Sequence, residues 1–191
     1  MEAFLISTGI VALAEIGDKT QLLAFVLAAR FRKPLPIILG ILVATVFNHA
    51  LAGALGAWLA ALLTQEVLRW ILGVSFIAMG CWMLVPDQMD GDALPRQHLG
   101  VFGATFIAFF FAEMGDKTQI ATVALAAKYQ AFFWVVLGTT LGMMIANVPA
   151  VLLGNRIVAG LSIRMVHTIA AGVFAVLGAA TLLGLGEQLG L

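Results

Sequence analysis

Charge is scarce in this chain: only 10% of its 191 residues are Asp, Glu, Lys or Arg, against about 25% in a soluble domain. Hydrophobic residues make up 62%, and the mean hydropathy is +1.07. One core of this size cannot hide that much apolar surface, which excludes a soluble globular protein. Disorder is excluded as well, because it needs low hydrophobicity and high charge. A surplus of either sign is also lacking. Ten Lys and Arg balance ten Asp and Glu, so nothing basic is left over for nucleic acid. Cysteine is reduced to Cys81, which rules out an intrachain disulfide or a thiolate metal cluster. A basic stretch ahead of the first apolar run is missing, with Glu2 in its place. No cleavable signal peptide is therefore expected, and the first run reads as part of the mature fold.

What the chain does have is long apolar runs. A membrane-spanning helix needs about 20 apolar residues. Six runs qualify: 3–29, 35–63, 67–85, 99–127, 131–153 and 163–185. Charge and turn signals separate them, such as Arg30 to Pro34, Thr64 to Glu66, Lys128 to Gln130 and Gly154 to Arg156. The runs are too long and too evenly apolar for a barrel, whose strands alternate over about 10 residues. The expected class is an all-α integral membrane protein with six transmembrane helices and the lipid bilayer as its surroundings. Lys and Arg set the orientation. Loops one, three and five hold Arg30, Arg32, Lys33, Arg96, Arg156 and Arg164, and the opposite side holds only Arg69 and Lys128. Both termini are then expected outside and the central loop in the cytoplasm.

The chain is also a repeat. Ala14-Glu15-Ile16-Gly17-Asp18-Lys19-Thr20-Gln21 recurs as Ala112-Glu113-Met114-Gly115-Asp116-Lys117-Thr118-Gln119, 98 residues on. Ten of the seventeen positions from Ala14 to Arg30 match their partners, whereas none of the seven from Ser7 to Leu13 does. A weaker echo pairs Gly73-Val74 with Gly172-Val173 at a spacing of 99. Each half therefore carries three spans with the polar motif on its first: a repeat over 1–86, an acidic linker over 87–98 holding Asp87, Asp90 and Asp92, and a second repeat over 99–191. Three is odd, so the halves are expected to be inverted, a plan that places transporter sites near the bilayer midplane.

The motif sits at mid-span. A charge at the bilayer centre costs at least about 2.5–3.5 kcal/mol, and here there are six: Glu15, Asp18, Lys19, Glu113, Asp116 and Lys117. On a helix Glu15 and Asp18 share a face, with Lys19 flanking Glu15 on the other side. Gly17 allows the helix to loosen, in which case those angles no longer hold. Thr20, Gln21, Thr118 and Gln119 offer neutral oxygens. Bringing the two motifs together gives four carboxylates and two ammoniums, a surplus of two negative charges that suits one divalent cation. All the donors are oxygen, which favours Mg²⁺, Ca²⁺ or Mn²⁺ over Zn²⁺ or Cu⁺. The same buried, crowded acids can take up protons when no metal is bound. Metal and proton then compete for one site, the minimal chemistry of an antiporter.

The doubled E-x-G-D-K-T motif, one per three-span half, resembles the family of MneA-type manganese exporters and eukaryotic Golgi cation/proton antiporters, grouped with the LysE transporter superfamily. The resemblance covers essentially the whole chain, with no departure inside either motif. It implies a secondary transporter and not an enzyme: export of Mn²⁺, or alternatively Ca²⁺, in exchange for protons. It also implies metal binding by Glu15, Asp18, Glu113 and Asp116, with Lys19, Thr20, Lys117 and Thr118 completing the match. The metal is the substrate, and no cofactor is expected. Lacking the longer N-terminus and central loop of eukaryotic members, the chain reads as a plasma-membrane protein of a prokaryote.

Blander readings stand beside these. The motif acids and lysines could form a structural lock between helices, although a mere relic of duplication would have drifted as its flanks did. Asn48 and Asn147, mid-span in the second and fifth runs, could complete a coordination shell or simply hydrogen-bond across helices. His49 has the same two readings. Gly138 and Gly142 fit close helix packing, Phe109 to Phe111 fit lipid contact or core, and the linker aspartates fit a solvated connector. Three other functions compete with the antiporter. An intramembrane carboxylate enzyme would need unlike surroundings for its two acids, a scaffold would not justify six midplane charges, and an amino-acid exporter would want a site that is not net negative.

Overall fold

The computed structural model describes residues 1–85, 99–153 and 163–184. The linker with Asp87, Asp90, Asp92 and Arg96, and the break around Gly154, Asn155 and Arg156, lie outside the described residues. Within them the chain is helical, with no strand. The helices are α1 (Glu2–Glu15), α2 (Lys19–Phe31), α3 (Pro34–Leu62), α4 (Gln65–Met83), α5 (Gly100–Glu113), α6 (Lys117–Tyr129), α7 (Phe132–Leu153) and α8 (Ile163–Leu182). Four of them, α3, α4, α7 and α8, are long and apolar enough to cross a bilayer, and α5 is a shorter apolar helix. Their outer faces are greasy. On α3 alone, Phe47, Leu51 and Trp58 are all more than half exposed, a surface that only lipid or another protein would cover.

The boundaries follow from local chemistry. Pro34, which has no N–H to leave unsatisfied, opens α3. The Thr64 hydroxyl accepts from the Val67 N–H at the start of α4. Arg32 and Gln130 end α2 and α6 in the left-handed conformation, at φ 51° and 47°.

The first and fourth apolar runs differ from expectation. Each is two helices, not one. The breaks fall at Gly17, with φ +86°, and Gly115, with φ +78°. These values exclude a continuous right-handed helix, and glycine adopts them without strain. Hydropathy measures the length of an apolar run, not the continuity of its backbone. The two breaks are alike in detail. Asp18 and Asp116 head the helices that follow them with nearly identical backbone angles, φ −79° and −78° with ψ 167° in both.

Packing repeats at the same spacing of 98. A Cβ on Gly40 of α3 would meet the Thr105 Cβ and the Phe102 carbonyl of α5. One on Gly138 of α7 would meet the Ser7 Cβ and the Phe4 carbonyl of α1. These are equivalent residues, so each repeat's broken helix lies against the first long helix of the other repeat. Gly142 approaches the Thr8 carbonyl in the same way, and the Gly138/Gly142 pair does serve close packing. Between α4 and α8 the reciprocal contacts are Gly80 with the Ala171 carbonyl and Gly178 with the Gly73 carbonyl. These again correspond at 98. The echo of Gly73 with Gly172 at 99 is therefore out of register, and Gly172 has nothing within 4 Å of its Cβ position.

The tightest approach among the described glycines is at Gly56 of α3, where a Cβ would run into the Val123 carbonyl of α6. Backbone cannot yield cheaply there, so Gly56→Ala is expected to destabilise the fold by about 1–3 kcal/mol. Gly172→Ala should be neutral or slightly stabilising, since it only improves helix propensity. Thermal unfolding of the two variants in detergent checks the contrast.

Two apolar cores result. One joins α1, α6, α4 and α8 through Ile10, Leu125, Phe76 and Phe174. The other joins α2, α3, α5 and α7 through Leu27, Ile41, Phe109 and Val151. The run of three phenylalanines divides accordingly: Phe109 is core and Phe111 is 65% exposed.

A buried carboxylate centre at two helix breaks

Each break carries one small hydrogen-bonded scaffold, built twice. Glu15 is the last residue of α1 and is fully buried. The Thr20 hydroxyl, in the first turn of α2, donates to its Oε2 at 2.5 Å. The Gln21 Oε1 accepts from the Gly17 N–H at 2.9 Å, and the Asp18 N–H donates to the Glu15 carbonyl at 3.1 Å. In the second repeat the Thr118 hydroxyl donates to Glu113 Oε2 at 3.1 Å. The Gln119 Oε1 accepts from the Gly115 N–H at 2.6 Å, and the Asp116 N–H donates to the Glu113 carbonyl at 3.1 Å. Thr and Gln are thus spent on orienting the glutamate and holding the glycine turn. An unbroken helix separates residues five apart by about 140°, and only the break lets Thr20 and Thr118 reach their glutamates. Gln21 also donates from Nε2 to the Ala146 carbonyl at 3.0 Å, tying the first break to α7.

The acids converge from both repeats. Glu15, Glu113 and Asp116 each place one carboxylate oxygen within 4.8 Å of the other two, and all three are buried. Asp18, the fourth expected ligand, is buried too and interacts electrostatically with Glu113, but it stands outside that group of three. Lys19 reaches across the repeats, its Nζ 3.5 Å from Asp116 Oδ1. Lys117 turns elsewhere: its Nζ donates to the Val85 carbonyl just past α4, at 3.2 Å, and stands 5.9 Å over the Trp82 ring. The two motif lysines are equivalent in sequence and different in place.

Three carboxylates against one ammonium leave a surplus of two negative charges in a buried pocket. Such a cluster repels itself unless a cation or protons neutralise it. Glu15 Oε1, Glu113 Oε1 and Asp116 Oδ2 have no hydrogen-bond donor among the described residues. Buried acceptors are rarely left so. Three of them at one place make an all-oxygen donor set of the kind that hard divalent cations take.

The asparagines are half engaged. Asn48 donates to the Phe110 carbonyl in the last turn of α5, at 3.0 Å, and Asn147 donates to the Met143 carbonyl, at 3.1 Å. Both leave a buried Oδ1 with no partner among the described residues. His49 is fully buried on α3 and neither ring nitrogen has a hydrogen-bond partner there, so the reading of a satisfied interhelical bond does not hold. His49 is also not one of the clustered acids.

One contact had no signal in the sequence. His167, on α8, donates from Nε2 to the Ile16 carbonyl within the first break, at 3.0 Å. Its counterpart 98 residues earlier is Arg69, so no repeat marks it.

The family model described as divalent cation/proton antiporter GDT1 matches residues 3–91 and again residues 101–188, one block per repeat. A Vibrio cholerae protein named “Putative manganese exporter” is 50% identical over 182 residues, covering 95% of this chain and 90% of its own length. GDT1-like protein 5 of Arabidopsis thaliana is 27% identical over 221 residues, covering 96% of each chain. GDT1-like protein 3 of Oryza sativa subsp. indica is 27% identical over 199 residues, covering 91% of this chain and 71% of its own. No solved structure matches the chain significantly.

Proposed function

The chain belongs to the GDT1 family of divalent cation/proton antiporters, and from that premise we propose that it exports a divalent cation, Mn²⁺ first and Ca²⁺ as the alternative, in exchange for protons. The observation that carries this reading is the meeting of Glu15, Glu113 and Asp116, buried and from two repeats, with one unmatched oxygen on each. Asp18 joins them as the fourth carboxylate in the transport cycle. Asn48 and Asn147 are further oxygen donors, each with a buried Oδ1 to offer. Lys19 on Asp116 offsets part of the carboxylates' negative charge.

The proposed topology counts each broken helix as one span. α1 with α2 and α5 with α6 then add two spans to the four long helices, giving six in two inverted repeats. Helices of 13 and 14 residues are each about 20 Å long, which puts both breaks near mid-membrane. At each break the C-terminal end of one short helix meets the N-terminal end of the next, α1 with α2 and α5 with α6, the broken-helix plan on which many transporters build an ion site. The basic loops place the termini outside and the central linker in the cytoplasm of a bacterial cell.

The exchange follows from charge. Metal enters only when the acids are ionised, and its release leaves a repelling cluster that protons relieve. Expelling a divalent ion against 100 mV, inside negative, costs about 4.6 kcal/mol, and the entry of two protons would cancel that. A net-negative site does not suit an amino-acid carboxylate. The Vibrio relative's name favours manganese, which oxygen ligands alone cannot select over calcium.

Proteoliposomes with a pH-sensitive dye inside test the reading. Mn²⁺ added outside should drive protons out of the vesicles through wild-type protein, with Ca²⁺ weaker and Mg²⁺ weaker still. Folded protein that moves protons with none of the three would overturn it.

A further inference from the structure

The α4–α8 pair breaks the internal symmetry. The core of α2, α3, α5 and α7 contains no residue of α4 or α8. The core of α1 and α6 contains Leu68, Leu72, Phe76 and Met79 from α4, and Ala170 and Phe174 from α8. Part of each core has its counterpart in the other at the repeat spacing, with Leu27 matched by Leu125, Ile37 by Val135, Leu23 by Ala121 and Ile10 by Ala108. α4 packs on α6 and α8 packs on α1, and neither packs comparably on α2 or α5. The pair therefore lies over one half of the frame only.

Two polar contacts hold it there, and both end at a helix break. His167 of α8 donates to the Ile16 carbonyl at 3.0 Å, and Lys117 at the second break donates to the Val85 carbonyl past α4 at 3.2 Å. Both contacts lie at the same end of the antiparallel pair. The other end is pinned, since only Leu63 and Thr64 separate α3 from α4. Neither contact is duplicated. Among the described residues the counterparts Arg69 and Met114 make no such bond, nor do Lys19 and Leu183.

We infer that the α4–α8 pair is the gate of the transporter, hinged at residues 63–64 and latched over the carboxylate centre by His167 and Lys117. His167 is then a positioning residue, acting on the site through the backbone of Ile16, and Lys117 has a second task beyond its place in the motif. The gate rests on the transport reading above and assigns it a moving part. The latch contacts are single hydrogen bonds, and losing one biases a two-state equilibrium by up to about tenfold.

Spin labels at Met165 on α8 and Leu22 on α2 report the gate, in a Cys81→Ser background. Both positions are exposed, 62% and 48%, so labelling leaves the cores intact. Double electron–electron resonance in lipid should show a minor second Met165–Leu22 distance in wild type. Its population should grow about five- to tenfold in His167→Ala. It should return towards wild type in His167→Gln, whose amide can still donate. Lys117→Met should act in the same direction and keeps the test alive if His167→Ala fails to fold. Unchanged distances in both variants, or no restoration by Gln, would overturn the gate. The distances are read without any cargo. A wild type that moves no metal therefore sinks the transport reading alone, and normal transport with immobile distances sinks the gate alone.

Discussion

Glu113→Gln is expected to abolish metal-driven proton movement and to weaken Mn²⁺ binding by about a hundredfold. Glutamine keeps the size and an acceptor oxygen for the Thr118 hydroxyl, so the break should still form. What it removes is one negative charge from a buried group of three whose oxygens lie within 4.8 Å of one another. A buried charged contact is worth about 1.5–3 kcal/mol, and each 1.4 kcal/mol is tenfold in affinity. Glu15→Gln and Asp116→Asn should do the same. Asp18→Asn should cost less in equilibrium binding, because Asp18 stands outside the three, yet still impair turnover if it joins the site during the cycle. Titration calorimetry in detergent, with flux in proteoliposomes, separates the two effects. The pH dependence has a definite sign. Protons and metal compete for the same oxygens, so wild-type Mn²⁺ affinity falls as pH falls, and Glu113→Gln, with one proton site fewer, should show a shallower fall. Wild-type affinity in Glu113→Gln would remove the carboxylates from the site.

Much of this centre is legible in the chain because polarity inside a membrane is so costly. Six charges in two copies, surrounded by diverged apolar flanks, can hardly be ornamental, and the spacing of 98 that relates them also relates the packing glycines. The position of the breaks is less legible. Gly17 and Gly115 permit a continuous helix as well as a left-handed turn, and an apolar run reads the same either way. Thr20 and Gln21 look like candidate ligands in sequence. Only the break shows them bonded to Glu15 and to the Gly17 N–H. The unequal lysines are invisible, because identical motifs cannot reveal that Lys19 meets Asp116 while Lys117 meets the end of α4. His167 is invisible for another reason: it reaches a backbone carbonyl, and any side chain with a donor of suitable length could stand there.

The second large effect expected is at Gly115, and it reads the backbone with almost no steric contribution. A Cβ added there meets nothing within 4 Å, so any loss on substitution comes from the φ of +78°. A left-handed conformation costs an L-residue about 1–2 kcal/mol, more if β-branched and less for asparagine. The chain can escape that strain by joining α5 and α6 into one helix. Doing so swings Thr118 about 140° away from Glu113 and removes the Gly115 N–H from Gln119. The site would be dismantled while the protein remained helical and membrane-bound. Transport should therefore fall in the order Gly, Asn, Ala, Val, with Asn within a few-fold of wild type, Ala down about tenfold and Val about a hundredfold. Gly9→Ala is the matched control, since Gly9 sits inside α1 with equal space around it and no positive φ; it should transport as wild type does. Proton flux per folded protein in proteoliposomes gives the ranking. If Ala and Val at position 115 work as well as Asn, the left-handed turn is not what holds Glu113 and Asp116 in one site.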